Sequence, residues 1–261
     1  MADVKNELGV ALVQADLHWQ NPEANRRNLA WLMDDQPGCD LYVLPETFTT
    51  GFLGDAGMEA ERMDGESVAW LREQAARRDA AVCGSLVIAA ADGVRRNRFV
   101  FALPDGQTVC YDKRHRFGYG GEDERYTAGQ SPVVVSWRGW RIDLQVCYDL
   151  RFPVWCRNTR GFDLQLFIAN WPAPRADHWD SLLKARAIEN QCYVVGVNCC
   201  GRDGNDIPYS GGSVAWSPEG QRLLDCGTEQ CVGRVTFDHA ALQSLRERLP
   251  FLRDADRFQL G

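Results

Sequence analysis

Covalent catalysis at a carbonyl takes a nucleophile, an acceptor for its proton, and a positive or hydrogen-bonding group where an oxyanion develops. Three residues of this 261-residue chain, each after an apolar run, offer those chemistries. Cys147 ends RIDLQVC and is followed by YDLRFP, where Pro153 and the charged residues break the strand pattern. A strand-to-turn junction is where an α/β fold presents a nucleophile, because the strand is stiff and its end opens on a crevice. Glu46 follows LYVLP, and a carboxylate at the end of a buried strand is partly desolvated, as suits a general base. Lys113, in VCYDKRHRF, would hold an ammonium against an oxyanion. A fourth candidate, Glu122, lies in the glycine-rich GYGGEDERYTAG.

Each also has an ordinary reading. Cys147 fits a buried inert thiol, Glu46 an exposed or capping acid, Lys113 a solvated basic turn, and Glu122 an acidic surface loop. What favours chemistry is that one of each required group stands at a strand end. The usual partner of a catalytic thiol is histidine. The chain has only His18, His115, His178 and His239, none in a recognised cysteine-histidine context. A cysteine-histidine peptidase would require His115 or His178 beside Cys147; otherwise glutamate is the base.

The elements that must position these residues are legible as apolar runs. GVALVQ from Gly9, DLYVLP from Asp40, AAVCGSLVIAA from Ala80 and RFVFAL from Arg98 read as buried strands. So do PVVVSW, RIDLQVCY, FDLQLFIAN, CYVVGVN, GSVAWS and CVGRV in the second half, roughly ten strands in all. Helical spacing appears over 25–34, 67–78, 177–190 and 239–249, with Val68, Leu71 and Ala75 three and four apart. Strands alternating with helices, plus hairpin turns such as PDG and SPEG, indicate an α/β layered fold with helices outside the sheets. No repeat or linker divides residues 1–261, so one domain is expected, with a polar arm around 250–261.

Net charge of −7 disfavours nucleic-acid binding through the overall field. No apolar run is long enough to span a membrane, and the N-terminus lacks a signal peptide's pattern. The cytoplasm is therefore the expected location. Many of the ten cysteines lie in apolar runs, where a reduced thiol behaves as a small hydrophobe.

The strings LPETF around Glu46, YDKRHRF around Lys113 and QVCYDLRFP around Cys147, in that order, resemble the nitrilase, or carbon-nitrogen hydrolase, superfamily. The likeness extends from GVALVQADL through ANWPAPRADHW and KARAIENQCYVVGVN to GGSVAWSPEG. It implies a four-layer α-β-β-α sandwich, a Glu46-Lys113-Cys147 triad, and association into homodimers or larger homo-oligomers. It also implies a second glutamate beside the lysine, Glu122, with Glu124 as the alternative. YDKRHRF, ANWPAPRADHW and ARAIENQ are most similar to the omega-amidases, which hydrolyse the terminal amide of 2-oxoglutaramate or 2-oxosuccinamate.

On that reading Lys113 and the Tyr148 backbone N–H bind the oxyanion, and no metal or organic cofactor is required. Asn170 and Trp171 are expected to line the pocket. Arg116 and Arg175 are candidates for the substrate's distal carboxylate. Arg186, on an apolar helix face, is expected to be buried and paired with an acid. The alternatives are a nitrilase, an N-carbamoyl amino acid hydrolase, a deaminated-peptide amidase, or a non-catalytic scaffold.

Overall fold

The structure, a computed structural model, describes residues 4–53, 60–91 and 93–259. One six-stranded sheet contains β1 (Glu7–Gln14), β2 (Leu41–Val43), β3 (Ala81–Ala89), β4 (Arg95–Ala102), β5 (Thr108–Asp112) and β14 (Cys231–Asp238), in the order β14-β1-β2-β3-β4-β5. The other contains β6 (Val134–Trp137), β7 (Trp140–Val146), β8 (Leu164–Ala169), β9 (Tyr193–Asn198), β12 (Val214–Trp216) and β13 (Arg222–Asp225), in the order β13-β12-β9-β8-β7-β6. A small ribbon pairs β10 (Cys200–Arg202) with β11 (Pro208–Ser210). The helices are α1 (Pro22–Asp34), α2 (Glu66–Arg78), α3 (Glu122–Arg125), α4 (Pro153–Cys156), α5 (Ala176–Asn190) and α6 (His239–Arg248).

The period-two alternation of β1 explains why its apolar run is nearly unbroken, since both faces are buried. Leu8, Val10 and Leu12 pack into the core shared with the second sheet, whereas Ala11, Val13 and Ala15 pack with Leu29, Leu32 and Met33 of α1 and Val68, Leu71 and Ala75 of α2. In the second sheet, Ile142, Leu144 and Val146 of β7 join the shared core, which continues to Trp179, Leu183 and Ala187 of α5. Helices, sheet, sheet and helix thus form the expected four layers.

Strands β1, β2 and β3 run parallel, as do β7, β8 and β9. The segments after β2, β7 and β8 therefore leave carboxyl ends of parallel strands, where such folds open their crevices. Those segments carry Glu46, Cys147 and Asn170. Among the described residues no helix is long and apolar enough to cross a membrane.

Arg186 is buried as expected: its guanidinium meets Glu189 Oε1 at 2.8 Å and donates to the Leu150 carbonyl at 2.7 Å. The last described residues form a 3-10 turn, Phe251–Asp254, followed by coil.

Candidate active site

Glu46, Lys113 and Glu122 are each 2% exposed or less, although they arrive from different parts of the chain. The Lys113 ammonium joins them, with Nζ 2.8 Å from Glu46 Oε1 and 2.8 Å from Glu122 Oε2. An isolated buried charge would be costly, so the lysine between two carboxylates is the arrangement that burial demands. Burial alone would lower the Lys113 pKa, but the charges of Glu122 and Glu46 outweigh it and hold the group well above the ordinary lysine value.

The remaining lone pairs are used as well. Asn97, on β4, donates to Glu46 Oε1 at 2.8 Å; the Asn170 backbone N–H donates to Glu46 Oε2 at 2.9 Å. The Phe117 N–H donates to Glu122 Oε2 at 2.6 Å. Both acids are thus held by fixed donors. Glu122, not Glu124, meets the lysine; Glu124 lies on the wall of the adjoining cavity.

Cys147 opens the 3-10 turn Cys147–Arg151 at the end of β7, with φ of 45°. That left-handed conformation is uncommon outside glycine and persists only where its surroundings enforce it. Burial pushes the thiol well above its ordinary pKa; Glu46 adds to this by its charge and by accepting the thiol's hydrogen bond, while Lys113 opposes it. The resting thiol is therefore neutral, and the Glu46 charge is the strongest of those that act on it. Its charged neighbours are Glu46, Lys113 and Glu122, with no histidine among them. His115 is bound to Asp149, and His178 lies against Arg151.

Glu46, Lys113 and Cys147 open on a cavity of about 770 Å³, whose wall also includes Tyr148, Asn170, Trp171 and Arg175. Asn170 also donates through its side chain to Thr47 Oγ1 at 2.8 Å. Trp171 packs against Trp179 and donates to the Arg175 carbonyl at 2.7 Å.

Arg116 is a correction. Its guanidinium donates to the carbonyls of Asp123 and Tyr126, closing the loop around Glu122, and it is not among the residues lining the cavity. Arg151 takes its place on the wall, its guanidinium 4.7 Å from the Trp171 ring centre. Arg151 stands in the quoted motif four residues after the cysteine, so spacing along the turn was an available signal. Asn97 had none, being one polar residue in a strand with several.

Among the described residues no group of three or more His, Cys, Asp or Glu side chains is arranged to hold a metal ion.

Residues 9–247 match the family model "Carbon-nitrogen hydrolase". The chain is 45% identical over 254 residues to "Omega-amidase YafV" of Yersinia enterocolitica, covering 97% of this chain and 98% of that protein. It is 32% identical over 255 residues to "2-oxoglutaramate amidase" of Bacillus subtilis, covering 94% and 96% respectively. Among solved structures, a CN-hydrolase superfamily protein of Xanthomonas campestris with an arsenic adduct in its active site superposes with a TM-score of 0.96 at 46% identity, covering 98% of this chain and all of that one. The match along the chain, the shared fold, and the meeting at one cavity of a thiol, a glutamate and a lysine backed by a second glutamate place this protein in the carbon-nitrogen hydrolase family.

Proposed function

We propose that the protein is an omega-amidase, hydrolysing the terminal amide of a small 2-oxo dicarboxylic acid monoamide to ammonia and the 2-oxo acid. The chemistry rests on one observation above all: Lys113 is held between Glu46 and Glu122, and these three charged groups are the ones that act on the Cys147 thiol. Glu46 takes the thiol proton as sulfur attacks the amide carbon, and Lys113 with the Tyr148 N–H receives the oxyanion. Glu46 then protonates the leaving nitrogen, ammonia departs, and Glu46 activates the water that hydrolyses the thioester. Glu122 holds the other side of the ammonium and keeps Lys113 aimed. When Glu46 carries the thiol's proton, Glu122 remains as the partner of the Lys113 ammonium.

The cavity wall supports the substrate class. Arg151 and Arg175 both line it, stacked on Trp171 and Phe117, and neither has a carboxylate ion-pair partner among the described residues. A planar guanidinium with free donors suits a substrate carboxylate. Relatives that bear the names omega-amidase and 2-oxoglutaramate amidase support the same assignment.

We further infer a single catalytic domain that acts in the cytoplasm as a homo-oligomer. The ten free cysteines support a reducing compartment. Val154, Phe251 and Phe258, each 42% exposed or more, line a groove between α4 and the C-terminal turn, which supports self-association.

The test is ammonia release by wild-type enzyme from 2-oxoglutaramate and 2-oxosuccinamate, alongside glutamine, asparagine, a simple nitrile and an N-carbamoyl amino acid. Preference for the 2-oxo amides is expected. Turnover confined to another compound would retain the thiol chemistry and overturn the substrate.

A further inference from the structure

The catalytic groups come from two different sheets: Lys113 follows β5 of one and Cys147 follows β7 of the other. Something must fix the distance between those strand ends. Asp149, two residues after the cysteine and fully buried, accepts four hydrogen bonds, three of them across the gap. From its own sheet, the Val146 N–H reaches Oδ2 at 3.0 Å. From the lysine side, Tyr111 Oη reaches Oδ2 at 2.7 Å, while the His115 N–H and Nδ1 reach Oδ1 at 2.9 and 2.8 Å. Tyr111 and His115 lie two residues before and two after Lys113. The residues gripped are thus one before the nucleophile and two flanking the lysine.

The surroundings stiffen this junction. Tyr111 Oη accepts from Trp155 Nε1 at 3.0 Å and from the Arg114 N–H at 3.2 Å, so its own proton is directed to Asp149. The His115 ring stacks on Phe152 with centroids 3.7 Å apart. A carboxylate oxygen only accepts, so Nδ1 carries the imidazole proton.

We propose that Asp149 is a positioning residue for the amidase reaction: it ties the lysine-bearing strand end to the nucleophile turn and thereby sets Lys113 and the Cys147 thiol in register for attack. It touches no reacting atom. The inference rests on the assigned roles of Lys113 and Cys147, and not on which amide is the substrate.

Asp149→Asn isolates the effect. An amide offers one oxygen where the carboxylate offered two, so in either orientation its NH2 faces a backbone N–H, that of Val146 or of His115. A displacement on the order of 1 Å costs about 10²-fold in rate. Asp149→Asn should therefore lower kcat about 100-fold with KM within about threefold of wild type, and slow alkylation of Cys147 by iodoacetamide, a readout that needs no substrate. A kcat per folded enzyme within about twofold of wild type, with only Tm reduced, would overturn the proposal.

Should Asp149→Asn fail to fold, two variants at His115 decide. His115→Asn keeps a donor near the Nδ1 position and loses the ring stack, whereas His115→Phe keeps the stack and loses the donor. The proposal expects kcat of His115→Asn to exceed that of His115→Phe by about tenfold. Equal values, or the reverse order, would assign the junction to packing alone and refute it. If the omega-amidase reading itself were wrong, wild type would be inactive on 2-oxo amides while the alkylation differences persisted.

Discussion

The reactive thiol of this protein is prepared as a neutral group. Burial and the Glu46 charge raise the Cys147 pKa well above its ordinary 9.0, against the pull of Lys113. The rate of alkylation by iodoacetamide should consequently keep climbing as pH passes 9, and Glu46→Gln, which removes the negative neighbour, should shift that profile to lower pH. A plateau already reached at neutral pH in wild type would show that the thiolate is preformed. Lys113→Ala should lower kcat by a factor on the order of 10² to 10³, as loss of an oxyanion donor does; stopped assays of ammonia release measure it. At this scale the sequence carried much of the site. Glu46, Lys113, Cys147 and Glu122 were recognisable from their motifs, and all four meet. Arg116 was misjudged because proximity along the chain says little about side-chain direction: its loop turns, and the guanidinium serves two backbone carbonyls instead of the cavity.

The elements that carry these residues differ in how plainly they announce themselves. All ten apolar runs became strands; most, such as β1, β3, β8 and β9, are buried on both faces and so need apolar residues at nearly every position, whereas β6 and β14 are partly exposed. β5, which leads into Lys113, reads in the sequence only as a short apolar stretch and is not counted among those strands; it is a five-residue edge strand whose sequence, TVCYD, runs straight into a basic turn. β10, β11 and β13 have three or four residues each, too few to show a period. Helix α1 begins at Pro22, three residues ahead of the apolar periodicity, because Asn21 accepts from the Ala24 N–H and proline favours the first helical position. Lys113 is held in place through backbone contacts: its N–H donates to the Asn97 carbonyl and its carbonyl accepts from the Gly129 N–H. A Cβ on Gly129 would lie 1.9 Å from the Asp112 carbonyl oxygen. Gly129→Ala must therefore push the β5 end away, and it should lower both Tm and kcat, the latter by at least about tenfold. Normal kcat with only a lowered Tm would show that the lysine tolerates the shift. On α5, Arg186→Met should cost about 1–3 kcal/mol by leaving the buried Leu150 carbonyl without its donor, measured by urea unfolding. An unchanged midpoint would mean that another donor replaces it.

Across the whole molecule, many groups that ionise at alkaline pH are buried. Cys83, Cys147, Cys156, Cys192 and Cys199 are all raised well above 9.0 by burial, as is Tyr111 above 10.0. Lys113 is raised above 10.5 because its two carboxylates outweigh burial. In every case the folded value exceeds the unfolded one, so the stabilising contribution is complete below the unfolded value and is lost as pH rises toward the folded value. Tm should therefore hold level from neutral pH to about 9 and decline above it; a rise over that range would contradict the linkage. Cys200, on which Asp16, Cys231 and Glu229 act rather than Glu46 or Lys113, offers an internal control: its replacement by alanine should affect Tm more than turnover. The central claim, that the amide's acyl group passes through Cys147, is tested most directly by acid-quenching wild-type enzyme during turnover of 2-oxoglutaramate and measuring intact and peptide masses. The account predicts one covalent acyl group on the peptide containing Cys147, and neither adduct nor ammonia from Cys147→Ala; an acyl group on another cysteine, or continued ammonia release by Cys147→Ala, would contradict it.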